Sequence, residues 1–345
     1  MANPTFAYPQ SAEITTIDPV LMSAQLADDP LIGPGGLFPI EYTSFDKLVW
    51  DQRDSYLGLM QFRGLNGDPP RVKRLGNKRF SVEPGAYGEF NEVDEQEMTR
   101  RAQPGSFNQP IEVGDLVKEC HEQLMVRQNN RMRFICSKLL TTGSFVVLDK
   151  DGAIGAQDSY KIQVYTAPIT WATSATARPL YDLRQIPILG RGQSTNFGAG
   201  SVVWMNQATF NTLLNNTNTA DLRGERLDYG QTVKSVSQVN QVLAGNNLPT
   251  IVIYEEGYLD DTGTYQLFIP DNVVVYIGRR SNNAALGRFR MTKNISAPNF
   301  KGVYDEVITR GMGDNEPPPA KIEVHRGWNG GPILWYPGSI FVMNV

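Results

Sequence analysis

An α+β fold is predicted, on three observations. One helical period is sustained from about Ile111 to Leu140, short β-rich runs alternate with short helices after it, and prolines break the first seventy or so residues. At 345 residues, 41% of them hydrophobic, the chain is long enough to bury a substantial core in one large or two ordinary domains.

From Met1 to about Pro70, Pro4, Pro9, Pro19, Pro30, Pro34, Pro39 and the cluster Gly33-Pro34-Gly35-Gly36 forbid long regular elements. Apolar residues still recur, among them Phe6, Tyr8, Leu37, Phe38, Tyr42, Phe45, Leu48, Val49 and Trp50. So many aromatics argue against a solvated tail and for an extended strap laid over other surfaces.

The next segment separates its charges. Arg71, Lys73, Arg74, Lys78 and Arg79 come first, followed by Glu83, Glu89, Glu92, Asp94, Glu95 and Glu97, with few large apolar residues between them. Such a segment buries too little surface to fold alone, so something outside it must organise it. A reversal near Gly85 would lay the basic limb antiparallel to the acidic one, and opposite charges across such a ribbon stabilise it modestly. A lone hairpin is marginal in water. The expectation is an arm that docks on a partner surface, with a plus edge and a minus edge suited to head-to-tail contact between copies.

Asn108-Gln109-Pro110 introduces the long helix, with Pro110 in its first turn, and Thr142-Gly143 ends it. Val113, Val117, Cys120, Leu124, Met132, Ile135 and Leu139 form an interrupted apolar stripe. Arg127, Gln128, Asn130, Arg131 and Arg133 make its middle polar, which suggests a spine with a stretch exposed or touching another chain. Strands are expected over Ser144–Leu148 and Tyr160–Ile169, joined by the turn Asp149–Gly152. Pro179–Leu189 reads as a helix, Ser201–Met205 as a strand, Asn206 as an N-cap, and Gln207–Leu214 and Val233–Leu243 as helices. Thr250–Glu256, Gln266–Ile269, Val273–Ile277, Ile322–Val324 and Ile340–Val342 complete the strands.

The net charge of −4 and pI near 5.4 do not suit a general nucleic-acid binder. Cys120 and Cys136 fall on one helix about 24 Å apart, beyond the ~7 Å reach of a disulfide, and suit a reducing cytoplasm. The N-terminus lacks the layout of a signal peptide, and no apolar run is long enough to span a bilayer.

Candidate chemistry is weak throughout. Asp261-Thr262-Gly263 has the tripeptide of aspartic proteases, but in an acidic turn between strands, where Asp and Gly are ordinary turn formers. Asp149, Asp151 and Gly152 open like a calcium loop, yet Tyr160 stands where the bidentate Glu belongs. His121 and His325 have no ligand partners nearby in sequence, and the Gly190–Gly200 stretch lacks a phosphate-loop lysine. Arg100, Arg101, Arg127, Arg131 and Arg133 have glutamates nearby and no interleaved aromatics, so protein contact is favoured over nucleic acid. No catalytic, cofactor or metal residue is assigned.

The order of strap, charged arm, polar spine, mixed domain and return strand resembles the major capsid protein of tailed bacteriophages, in particular the lambda-type capsid E family. The residues that carry the resemblance are Arg131–Phe134 through Leu140–Gly143, the Trp171–Asp182 segment, and Val203-Trp204-Met205-Asn206 leading into Phe210 and Leu213. Tyr254, Gly257-Tyr258, Asp261 and Phe268-Ile269-Pro270-Asp271 extend it. The resemblance implies the tailed-phage and herpesvirus capsid fold, with an N-terminal arm at 1–69 and an extended loop at 70–109. A peripheral domain holding the spine helix would occupy 110–180 and 301–345, and an axial domain 181–300.

It also implies hexamers and pentamers of an icosahedral shell around packaged double-stranded DNA, without sequence-specific DNA binding. A scaffold, a portal and in some cases a decoration protein would assist, with assembly in the host cytoplasm and the virion as destination. No cleaved N-terminal segment is expected. Lys73 or Lys78 would be the candidates for the Lys–Asn cross-link of some relatives, but the arm offers no catalytic Glu in an apolar pocket. The intersubunit contacts are expected at Arg71, Lys73, Arg74, Lys78, Arg79, Glu89, Glu92, Asp94, Glu95, Glu97, Arg127 and Arg131. The alternatives from other classes are an aspartic-type hydrolase using Asp261 and a tail-tube or decoration component.

Overall fold

The computed structural model describes residues 28–53, 59–63, 65, 67–72, 76–100, 112–148, 154–193, 195–216, 235–260, 262–279, 285–294, 302–310 and 319–345. Its elements run β1 (Ile40–Tyr42), β2 (Leu48–Arg53), β3 (Asn77–Val82), β4 (Gly85–Asp94), α1 (Glu95–Arg100) and α2 (Val113–Thr142). Then come β5 (Ser144–Leu148), β6 (Ile154–Ser159), β7 (Gln163–Thr166), α3 (Pro179–Leu189), β8 (Val202–Met205), α4 (Gln207–Asn215) and α5 (Val236–Gly245). The chain closes with β9 (Thr250–Ile253), β10 (Gly257–Leu259), β11 (Tyr265–Leu267), β12 (Val273–Ile277), β13 (Gly287–Met291), β14 (Val303–Arg310), β15 (Lys321–Leu334) and β16 (Ile340–Asn344).

The spine helix α2 is 30 residues long and starts at Val113, with Glu112 as its N-cap, two residues later than its sequence suggests. The capping residues expected at Asn108 and Gln109 lie outside the described residues. Gly143 ends the helix at φ +71°, donating its N–H to the Leu139 carbonyl at 2.9 Å. A side chain there would meet the Tyr160 carbonyl at 2.8 Å as well as the strain of that left-handed backbone.

Two five-stranded sheets flank the spine. In one, β7, β16, β12, β8 and β9 lie side by side, with β7–β16 and β8–β9 parallel and the inner pairs antiparallel. Its two faces bury different cores. Val275, Ile277, Ile340, Val342 and Trp204 join Met132, Ile135 and Leu139 of the spine, whereas Val274, Tyr276, Phe341, Met343 and Val203 join residues of α3, α4 and α5. A strand buried on both faces reads as a continuous apolar run, which is why Val273–Ile277 was legible as a strand. Asn206 caps α4 by accepting from Thr209 N at 2.8 Å, and Ser235 with Gln238 forms a capping box on α5.

The other sheet is built on the fourteen-residue β15, which pairs antiparallel with β4 along one edge and with β14 and β13 along the other; β1 adds to β13 in parallel. Val93 of β4 and Ile322 and Val324 of β15 pack against Leu116, Val117, Cys120 and Leu124 in the first half of the spine. Both cysteines are buried on this helix and neither is in a disulfide.

The charged segment departs from its expected form. Its basic and acidic limbs do not pair with each other: β3 pairs antiparallel with β2, and β4 with β15. Gly85 is therefore the start of a strand in a second sheet and not the tip of a ribbon. The physical reason is that β15 offers β4 a ten-residue ladder, Gly85 opposite Gly330 through Asp94 opposite Lys321, which a hairpin closed near Gly85 could not match. The sheets also divide the chain differently from the expected domain limits, since β13 joins β15 while β16 joins β12.

Candidate intersubunit surface

One two-stranded element pairs β2 with β3, so the segment after Pro70 supplies one limb and the stretch before it the other. Its stem is fixed by Trp50, which stacks on Phe80 at 5.3 Å and on Tyr160 at 5.7 Å, and by Arg79, which grips Asp51 opposite it with bonds of 2.8 and 3.2 Å. Beyond the stem, Leu59, Met60, Phe62 and Leu65 are 93–98% exposed. Single exposed apolar residues are commonplace, but four large ones within seven positions are the mark of an interaction surface.

A groove of about 480 Å³ lies between β4, the middle of α2 and the β10–β11 hairpin. Tyr87 and Trp328 stack at 4.3 Å on one side, and Phe134 meets Tyr258 edge-on at 5.2 Å on the other. At the rim, Arg127 grips both oxygens of Glu89, and Arg131 lies over the Phe134 ring at 5.8 Å. The hydrogen bond from Arg127 holds the Glu89 carboxyl below its ordinary range, and burial pushes the Tyr87 hydroxyl up to about 12.

Beneath the groove the spine is joined to the sheet by buried polar groups. Arg326 of β15 donates from Nε to Gln128 Oε1 at 2.5 Å and from Nη1 to Asp305 Oδ1 at 2.7 Å, and His121 Nε2 lies 3.2 Å from the same Nη1. Since Oε1 of Gln128 is committed to a guanidinium, its Nε2 is fixed in direction; that atom is buried and has no hydrogen-bond partner. The polar middle of the spine is thus partly an internal feature, with Gln128 buried, while Arg127 and Arg131 are exposed.

Five of the twelve charged residues expected at the contact are engaged within the chain by ion pairs or a cap. Arg79 binds Asp51, Glu89 binds Arg127, and Glu92 binds Lys321 at 3.0 Å. Asp94 accepts from Glu97 N at 2.8 Å and so caps α1, whose first turn carries Glu95 and Glu97 in the open. Arg71 and Lys78 are exposed; Lys73 and Arg74 lie outside the described residues. Asp261 also lies outside them, and its neighbour Asp260 is a turn residue that accepts from Thr262 N and Thr264 N at 2.9 Å each. Among the described residues no group of His, Cys, Asp and Glu could hold a metal ion, and no helix is long and apolar enough to cross a membrane.

The model of the family described as phage major capsid protein E matches residues 27–291, most of the chain. The chain belongs to that family. Membership makes it a shell-forming structural protein of the virion and does not favour the hydrolase and tail-tube alternatives. Among solved structures, a protein assigned as the capsid protein of an Escherichia coli CFT073 prophage is similar at 14% identity, with a TM-score of 0.57 over 90% of this chain and 91% of the other. That likeness shows the fold, the tailed-phage capsid fold. A phage-related protein from Bordetella bronchiseptica RB50 is similar at 11% identity and a TM-score of 0.49, over 94% of this chain and 95% of that one. No curated protein matches the chain.

The sequence reading missed the apolar loop at 59–65 and the groove. The alternation of Leu48 and Trp50 on one limb with Phe80 and Val82 on the other was the available signal for the β2–β3 pair.

Proposed function

We propose that this capsid protein assembles as hexamers and pentamers of an icosahedral shell around packaged double-stranded DNA, with the β2–β3 loop lapping onto a neighbouring copy. The observation that carries this is the run of Leu59, Met60, Phe62 and Leu65, which is almost fully exposed in the single chain and needs a cover. On this reading the extended loop is the stretch between β2 and β3. The peripheral domain is the spine with the β15 sheet, and the axial domain is the β12 sheet with α3, α4 and α5. The exposed Arg71, Lys78, Glu95, Glu97 and Arg131 contribute at the edges of contacts, where charge sets partner geometry and encounter more than affinity. Glu89, Glu92, Arg79 and Arg127 act chiefly within the chain, positioning loop and spine.

The protein works without catalysis, helped in the host cytoplasm by a scaffold, a portal and in some cases a decoration protein. Its mild acidity supports enclosure of DNA without sequence reading, since like charge limits adhesion to the shell. Negative-stain microscopy of the chain expressed with its scaffold tests the proposal. Closed particles of one size are expected; open tubes or lone subunits would contradict it.

A further inference from the structure

We infer that the outer edge of β14 pairs antiparallel with the same edge of a second copy across a two-fold axis, with Ile308 opposite its own counterpart and Glu306 opposite Arg310 of the other copy. The inference rests on the shell-forming reading above, since an icosahedral shell relates copies by two-fold axes and a two-fold contact must be complementary to itself. It adds the surface and the register.

The edge is bare. All eight residues of β14 pair with β15 on one side, and among the described residues no strand lies on the other. A long strand edge is a template for another chain, and proteins commonly blunt it with proline, lysine, a bulge or an inward-pointing charge. Val303–Arg310 contains no proline, glycine or lysine, and its pairing with β15 runs without a register shift. Its one inward charge, Asp305, is neutralised by Arg326 within the subunit. The other sheet treats an edge differently. On β9, Ile251 donates its N–H to Asn240 Oδ1 at 2.8 Å, and its carbonyl accepts from Asn240 Nδ2 at 2.9 Å, so a side-chain amide takes the place of a further strand.

The exposed pattern is self-complementary. Strand alternation puts Tyr304, Glu306, Ile308 and Arg310 on the face turned away from the spine, while Val307 packs against the core on the other side. Turning a copy about an axis at Ile308 sets that apolar side chain against itself and each Glu306 against an Arg310, and opposite charges facing each other stabilise antiparallel strands. An axis one residue away loses both charge pairs: at Val307 it sets Glu306 against Ile308, and at Thr309 it sets Arg310 against Ile308. Both charges are available. Glu306 is exposed, with no ion-pair partner among the described residues. Arg310, 60% exposed, can leave Glu323 because His325 and Lys321 hold that carboxylate as well.

Cysteine cross-linking in assembled shells tests the contact and its register. Cα atoms directly opposite each other on antiparallel strands lie about 4.5–5.5 Å apart, within disulfide reach. Oxidised Ile308→Cys shells are expected to give disulfide-linked dimers about tenfold above Thr309→Cys shells, whose cysteine in this register faces Val307 of the other copy. The native Cys120 and Cys136 are buried and add little background. Closed Ile308→Cys shells with no excess over that control would overturn the β14 contact and leave the shell reading intact, whereas failure of the unsubstituted chain to form shells would overturn both. Adducts of Ile308→Cys with a co-expressed scaffold in place of dimers would also overturn it. Charge exchange gives a second test. Glu306→Lys sets lysine against arginine and is expected to slow shell formation about tenfold with the melting of the unassembled subunit unchanged, and adding Arg310→Glu should restore the rate. Undiminished assembly of the single variant, or no recovery in the double, would overturn the contact.

Discussion

Arg326 of β15 and Asp305 of β14 form an ion pair of 2.7 Å with side chains only 2% and 6% exposed, under the first half of the spine helix. With Gln128 and His121 on the helix side, this pair joins sheet to spine through polar groups where an apolar stripe would ordinarily pack. Removing one member leaves the other charge buried, which typically costs ~3–5 kcal/mol, whereas replacing both by apolar residues costs much less. Arg326→Met should therefore lower the melting temperature of the unassembled subunit sharply. Adding Asp305→Leu should restore part of the loss, and a thermal double-mutant cycle measures the coupling.

A second buried carboxylate holds the other core. Asp182, in the first turn of α3, accepts from Trp171 Nε1 and from Tyr165 Oη at 3.0 Å each, and burial with this bond raises the Tyr165 hydroxyl to about 12. Asp182→Ala strands two donors, one of them on the fully buried Trp171, at a cost of ~2–4 kcal/mol. Near-ultraviolet circular dichroism should show a loosened Trp171, while Asp182→Asn, which still offers one oxygen, should lose less.

Acid sensitivity should centre on Glu323, on the face of β15 turned away from the spine. Hydrogen bonds from His325 and Lys321 hold its carboxyl below the ordinary value of 4.5, and the Arg310 guanidinium adds to the effect. A carboxyl depressed in the folded state stabilises it fully above that ordinary value, and the contribution fades as pH falls through the folded value. The melting-temperature penalty of Glu323→Gln should then be constant near pH 7 and shrink below about 4.5. A penalty that grows on acidification would mean the carboxyl is not held ionised by these partners.

Elements with local causes were legible in the sequence. Pro179–Leu189 follows from its proline start, Gln207–Asn215 from the Asn206 cap, and Val273–Ile277 from burial on both faces. The long-range pairings were not. Tyr87, Glu89, Asn91 and Val93 share the spine-facing side of β4, but only Val93 signals a core. Glu89 and Asn91 are satisfied by Arg127 and Gln123 of the helix, so a strand packed within the chain resembled a solvated charge run. Its partner β15 lies more than two hundred residues away, beyond anything periodicity reports. For the same reason Glu92→Lys is a poor probe of assembly alone, since it breaks the 3.0 Å bond to Lys321 within the subunit.

The central claim, that the apolar loop drives shell formation, is tested most directly by sedimentation velocity on the Leu59→Asp, Phe62→Asp double variant mixed with scaffold under assembling conditions. Both side chains are more than nine-tenths exposed, so the subunit should keep its circular dichroism and melting temperature. It should remain at subunit size where the unsubstituted chain sediments as shells. Shells formed by the variant at the unsubstituted yield would contradict the claim.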